Sequence, residues 1–373
     1  MTEGAPIRIP VNLLPEDGRF GCGPTRVRQN ALDRLAESGS SYMGTSHRRP
    51  TVRRMVGRVR SGLTQLFDLP DGYEVVLGNG GASAFWDASA FGLIERASQH
   101  LKFGAFSSKF VGVVAGAPHL EAPEVIESPL GTHPMPSPSD HIDLYALTHN
   151  ETSTGVTMPI WRVEAEGLTV VDATSAAGAI PVDPYQFDVY FFSPQKAFGA
   201  DGGLYVALCS PRALERIERI AGSDRWIPPF LSLPSAVSNS VKDQTYNTPA
   251  LATIFMLVDS VEWMNAKGGL AWSSERCAAN AEMLYGWAEQ HPMAQPFVSD
   301  PSMRSPIGAT IDFRRPLFWA DLAATLRANG IVDTEPYHKD GNHLRIGTWP
   351  SIPRSDMEAF IACLDYVIEA SLS

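Results

Sequence analysis

In the stretch Asp188-Val-Tyr-Phe-Phe-Ser-Pro-Gln-Lys-Ala-Phe-Gly199, an apolar run stops at Ser193 and delivers one lysine, Lys196, into a turn. A lysine just past a buried strand, beside Pro and Gly, can be desolvated enough to lose its proton and attack a carbonyl. Upstream, Val170-Val171-Asp172-Ala-Thr-Ser places a carboxylate at the end of another apolar run. An Asp at one strand end and a Lys at the next are the pair that a pyridoxal phosphate site requires. The lysine holds the aldehyde as a Schiff base, and the Asp keeps the pyridine nitrogen protonated so that the ring acts as an electron sink. Lys196 and Asp172 are therefore the candidate catalytic residues.

Four further stretches carry residues suited to such a site, each with a plainer reading beside it. Gly78-Asn-Gly-Gly-Ala-Ser83 follows an expected strand and opens a helical run. Crowded backbone N–H groups and a helix N-terminus suit a phosphate there, although strand-to-helix turns also carry glycines for steric reasons alone. In Phe103-Gly-Ala-Phe106 the second aromatic either stacks on a cofactor ring or belongs to the core. Asn150-Glu-Thr152-Ser-Thr-Gly155 offers Thr152 as a hydrogen-bond partner for a ring hydroxyl, or as a turn cap. Tyr246-Asn247-Thr248-Pro249 precedes a long helix, where Asn and Thr serve either as helix cap or as ligand groups.

The elements that must position these residues are legible in outline. Short β-branched or apolar strands alternate with helical patterns from about residue 20 to 262, which predicts an α/β fold with a mostly parallel sheet covered by helices. Strands are expected at Glu74–Leu77, Leu144–Thr148, Thr169–Asp172, Val189–Phe192 and Gly203–Cys209. From Pro249 to Gln290 the pattern is two long helices broken at Lys267-Gly-Gly269. Strands near Ala309–Phe313 and Leu344–Thr348, with helices at Trp319–Asn329 and from Arg354, complete a smaller α+β unit. The predicted organisation is an extended segment over 1–20, a large domain over 21–262 and a small C-terminal domain over 263–373. Two domains also follow from length, because 373 residues exceed what one core usually holds.

Composition narrows the function classes. With 44% hydrophobic and 19% charged residues the chain reads as an ordinary soluble globular protein, and no run approaches the length of a membrane span. The first ten residues carry no secretory pattern. The four cysteines are scattered and unclustered, so they read as reduced cytoplasmic thiols rather than a disulfide framework or metal site; no metal is expected. A net charge of −11 argues against nucleic acid or an anionic membrane as partner. An anionic small molecule then needs locally concentrated cations. His47 and Arg48 lie in one such concentration, Ser46-His47-Arg48-Arg49, and His338, Lys339 and Arg345 form a late trio. Arg345 stands out because it interrupts the apolar run Leu344-Arg-Ile-Gly-Thr-Trp349, where an unpaired charge is costly.

Taken in order, Ser46-His47-Arg48, Asn150-Glu151-Thr152, Gln195-Lys196, Asn247-Thr248-Pro249 and Arg345 resemble the class V aminotransferases of fold type I, and among them the phosphoserine aminotransferase family. The resemblance runs from about Phe20 to the C-terminal helix. It implies a pyridoxal phosphate enzyme that transfers an amino group by a ping-pong route between glutamate and 3-phosphohydroxypyruvate, with 4-phosphohydroxythreonine as a further substrate of the family. It implies that Ala82, Ser83 and Gln195 serve the cofactor phosphate, that Phe106 stacks on the ring and that Thr152 bonds the ring oxygen. It further implies a cytoplasmic homodimer, in which Asn247 and Thr248 reach the neighbouring cofactor. His47 and Arg48, also lent across the interface, then join His338, Lys339 and Arg345 around the substrate. The chain departs from the family at Ala82-Ser83 (commonly Gly-Arg), at Lys339 (often Arg) and at Phe106 (commonly Trp). Relatives with other chemistry in the same class are alanine–glyoxylate-type aminotransferases and cysteine desulfurases; a desulfurase needs a mobile-loop cysteine, and only Cys22 is placed for that.

Overall fold

The computed structural model describes residues 7–373, so Met1–Pro6 of the expected extended segment lie outside the described residues. Its largest sheet has seven strands, in the order Glu74–Asn79, Leu204–Cys209, Val189–Phe192, Leu168–Asp172, Leu144–Thr148, Ser98–Lys102 and Glu124–Glu127. Leu204–Cys209 runs antiparallel to both neighbours, and the other pairings are parallel. Five central strands are buried nearly end to end, and four of them accordingly read as continuous apolar runs. Ser98–Lys102 is the exception in composition. Its polar residues are buried because each finds a partner: Ser98 Oγ meets His100 Nε2 at 3.0 Å, and Gln99 Nε2 donates to Glu124 Oε1 at 2.7 Å.

A second, antiparallel sheet of Ala294–Pro296, Gly308–Phe313 and His343–Gly347 packs with the helices Gly269–Gln290, Trp319–Ala328 and Arg354–Leu372. The helix Leu251–Lys267 runs through the expected boundary at 262 without a break. The chain turns instead at Gly268 and Gly269, whose φ of 122° and 71° favour residues without a side chain. The segment before residue 21 is tied to this smaller unit. Arg19 bridges Val332, and the Glu16 N–H donates to Asp356 Oδ1 at 3.1 Å. Among the described residues no helix is long and apolar enough to cross a membrane.

Candidate active site

In the parallel part of the large sheet Thr148 lies opposite Asp172, and Asp172 opposite Phe191. The turns that leave these strands therefore meet at one edge, the carboxyl edge where open α/β sheets bind ligands. The turn Gly80-Gly81 and the helix Ala82–Gly92 reach the same edge from Glu74–Asn79. Together they line a cavity of about 300 Å³. Seven predicted residues meet there: Ala82, Ser83, Phe106, Thr152, Asp172, Gln195 and Lys196.

Lys196 is 8% exposed, and its Nζ donates to the Cys22 carbonyl at 2.8 Å. Burial pushes its pKa down to about 8, helped by the nearby charge of Arg345 and opposed by Asp172 and Glu151. The amine is thus partly neutral near physiological pH, as a nucleophile or base must be. Gly23 makes room for it: the residue has φ 119°, and a Cβ there would overlap the lysine stem.

Asp172 is 5% exposed and accepts three hydrogen bonds. Oδ1 takes the Thr174 N–H at 2.9 Å and its hydroxyl at 2.6 Å, while Oδ2 takes the Trp86 indole N–H at 2.9 Å. Burial raises the carboxyl pKa, and these donors pull it back. Sequence reasoning missed Trp86. The Asp-x-Thr spacing is a local turn signal, but the indole contact depends on how the helix Ala82–Gly92 lies over the sheet.

Glu151 was quoted in the sequence only as part of a motif, yet it organises half the cavity. Fully buried, it accepts from the N–H of Phe106 and Ser107 and from the Ser107 hydroxyl at 2.9–3.1 Å, and from the Ser153 hydroxyl at 2.7 Å. A carboxylate at the N-terminus of the helix Ala105–Ala115 satisfies its open donors and complements its dipole. The same contacts fix Phe106 against the loop carrying Thr152. The Phe106 ring centroid lies 5.8 Å from Lys196 Nζ.

A flat phosphorylated heteroaromatic aldehyde such as pyridoxal phosphate fits these residues. The backbone N–H groups of Ala82 and Ser83, in the first turn of their helix, lack acceptors among the described residues, and both residues line the cavity, where free donors of this kind suit an anion. Gln195 Oε1 and Asn150 Oδ1 are buried on the cavity wall without partners among the described residues, so either amide has unused capacity for a ligand.

Arg345 stands in an adjoining cavity of about 450 Å³ that shares Gly23 and Pro24 with the first. Its guanidinium donates to the Thr152 carbonyl at 3.1 Å and the Glu335 carbonyl at 3.3 Å, and it pairs with no carboxylate among the described residues. The charge anticipated as costly is held by carbonyls and stays available to an anion. The other predicted residues line neither cavity. His47 Nδ1 meets Thr248 Oγ1 at 3.0 Å, and the Asn247 N–H donates to Asn79 at 3.1 Å, forming an exposed cluster that includes Arg48. Burial, then the charge of Arg48, lowers the His47 pKa. His338 lines a third cavity with Thr310 and His343, and Lys339 is exposed. All four cysteines are buried, and burial raises the Cys22 thiol. That is the opposite of what an attacking thiolate needs.

Residues 138–336 match the family described as aminotransferase class V. A putative phosphoserine aminotransferase of Mycolicibacterium paratuberculosis is 52% identical over 366 residues, covering 97% of this chain and 98% of the relative. A phosphoserine aminotransferase of Nocardioides sp. is 53% identical over 368 residues, covering 97% and 98%. The fold is that of a phosphoserine aminotransferase crystal structure from Cytophaga hutchinsonii, with TM-score 0.86, 24% identity and coverage of 94% and 99%. It is also that of a PLP-bound phosphoserine aminotransferase from Trichomonas vaginalis, with TM-score 0.81, 19% identity and coverage of 94% and 100%.

Proposed function

This chain belongs to the class V aminotransferase family and is a pyridoxal-phosphate-dependent enzyme, and from that premise we propose that it moves an amino group between L-glutamate and 3-phosphohydroxypyruvate. The products are 2-oxoglutarate and O-phospho-L-serine, which makes the reaction a step toward serine; 4-phosphohydroxythreonine, formed from its own 2-oxo acid, is a second product. The observation that carries the reading is the burial of Lys196 and Asp172 in one cavity between a helix N-terminus and a carboxylate-free arginine.

Bound pyridoxal phosphate supplies an electron sink for the pair released when the substrate Cα loses its proton. Lys196 is the base that takes this proton and returns it, a role for which its partly neutral amine is suited. Asp172 holds a proton at the pyridine nitrogen, with Trp86 and Thr174 keeping the carboxylate oriented. Phe106 covers one ring face and keeps water from it, and Thr152 bonds the ring oxygen. The N–H groups of Ala82 and Ser83, with Gln195, bind the phosphate. Arg345 grips the α-carboxylate common to every amino and oxo acid that passes through.

We infer further that two copies of the chain complete each site. Asn247, Thr248 and Arg48 are exposed, His47 is half-buried beside Thr248, and all four lie outside the cofactor cavity of their own subunit, so they suit the cofactor phosphate and substrate of a second. Trp226, Phe230 and Tyr246 are exposed by 73%, 49% and 42%, apolar area that a second copy would cover. His338 and Lys339 join the same ring of donors when their loop meets substrate. Four unbridged cysteines support a cytoplasmic setting.

Steady-state assays with glutamate as donor test this reading. Parallel double-reciprocal lines and saturation by 3-phosphohydroxypyruvate far below the concentrations needed for pyruvate or glyoxylate are expected. Equal use of the unphosphorylated acids would move the enzyme to the alanine–glyoxylate type.

A further inference from the structure

We propose that Lys109 and Tyr337 form a substrate-reading pair at the mouth of the site, taking the distal dianionic phosphate of the substrate in preference to an uncharged end. The inference rests on the phosphoserine reading above and adds two residues to it. Lys109 lies three positions past Phe106 on the helix Ala105–Ala115, one turn along the same face. Its ammonium donates to the Tyr337 hydroxyl at 2.8 Å and stands 5.3 Å from the Phe106 ring centroid. Lys196 stands 5.8 Å from that same centroid, so the reacting amine and the outer ammonium flank one ring. The Tyr337 ring packs 5.2 Å from Phe106, and Arg345 lies 5.6 Å from the Tyr337 ring. Tyr337 and Arg345 line the cavity that adjoins the one holding Lys196, and Lys109 is bonded to Tyr337 beside Phe106, which lines the inner one.

The donor count shows what the pair can take. An ammonium has three N–H donors, and Lys109 uses one on Tyr337. Tyr337 accepts that bond, so its own O–H proton is unused. Lys109 has no carboxylate partner among the described residues, in a chain of net charge −11. Three polar hydrogens and one positive charge are thus open to a phosphate beside the arginine that takes the carboxylate.

Calorimetric titration of the cofactor-loaded enzyme with 3-phosphoglycerate and with glycerate tests the pair. Both ligands carry a hydroxyl where the reacting group would be, so neither is turned over. The intact protein is expected to bind the phosphorylated ligand more tightly. Lys109→Met should weaken 3-phosphoglycerate about tenfold while leaving glycerate unchanged, Lys109→Arg should restore most of the loss, and Tyr337→Phe should cost about threefold. Undiminished 3-phosphoglycerate binding in Lys109→Met, or an equal loss for both ligands, overturns the proposal. If the intact protein itself fails to prefer 3-phosphoglycerate, the failure belongs to the phosphoserine reading instead.

Discussion

Lys196, Asp172, Thr152 and Glu151 are all at least nine-tenths buried and held by partners from their own subunit, whereas Arg48, Asn247, Thr248 and Lys339 are exposed on loops. Burial is what gives the inner group its chemistry. It lowers the Lys196 pKa and raises that of Asp172, and only a fixed set of donors and carbonyls makes such burial tolerable. Exposure suits the outer group equally well, because a solvated cation costs little to keep and stays free for an incoming anion. One chain therefore holds the inner group by itself, while the exposed group lies on separate loops, where the proposed function has a second subunit gather it.

The sharpest way to break the inner half is Lys196→Met. Turnover is expected to fall by more than about 10⁴-fold, together with loss of the visible absorbance of bound cofactor. The same variant sharpens the burial argument in the cofactor-free protein. The folded pKa of about 8 lies below the ordinary 10.5, so the unfolded chain binds more protons between those values and stability rises with pH across that window. At pH 7 the Met variant should be more stable than the unaltered protein by roughly 3 kcal/mol in urea melts, a gap that closes as the pH passes 10.

The outer half is tested by mixing one inactive and one impaired protein. Arg48→Met should lower kcat/KM for the phosphorylated acceptor by about 100-fold if Arg48 grips the phosphate. Subunits of Arg48→Met exchanged with Lys196→Met subunits should then recover activity, because one site of each hybrid has both residues intact. No recovery would mean that the site is not shared.

The smallest effect is expected at Trp86→Phe. Removing the indole donor lets the Asp172 carboxyl pKa rise further, so the acid limb of the kcat profile should move to higher pH, with about a threefold loss at neutrality. An unmoved profile would make Trp86 a packing residue only.

The sequence made the inner group legible because fully buried parallel strands read as unbroken apolar runs, and Asp172 and Lys196 sit where two such runs stop. The strand Ser98–Lys102 was invisible by the same logic, since Ser, Gln and His look like loop until their buried partners are known. Glu151 and Trp86 escaped notice because their roles lie in contacts with residues 44 and 86 positions away. The grouping of His47, Arg48, His338, Lys339 and Arg345 comes from the family resemblance, which lends the first two across a subunit interface. Within one subunit those residues occupy three separate places, and only Arg345 adjoins the cofactor cavity. Residue 262 falls inside a helix whose buried face continues to Met264, and the Gly-Gly pair that ends the helix is visible in the sequence.

The proposed function couples a lysine-based cofactor site to a phosphate-reading rim. Titrating the visible absorbance of the cofactor-loaded protein with O-phospho-L-serine and, separately, with L-alanine tests it most directly. The account predicts that O-phospho-L-serine discharges the band at a concentration at least about 100-fold lower than alanine. Discharge by alanine at equal or lower concentration would contradict it.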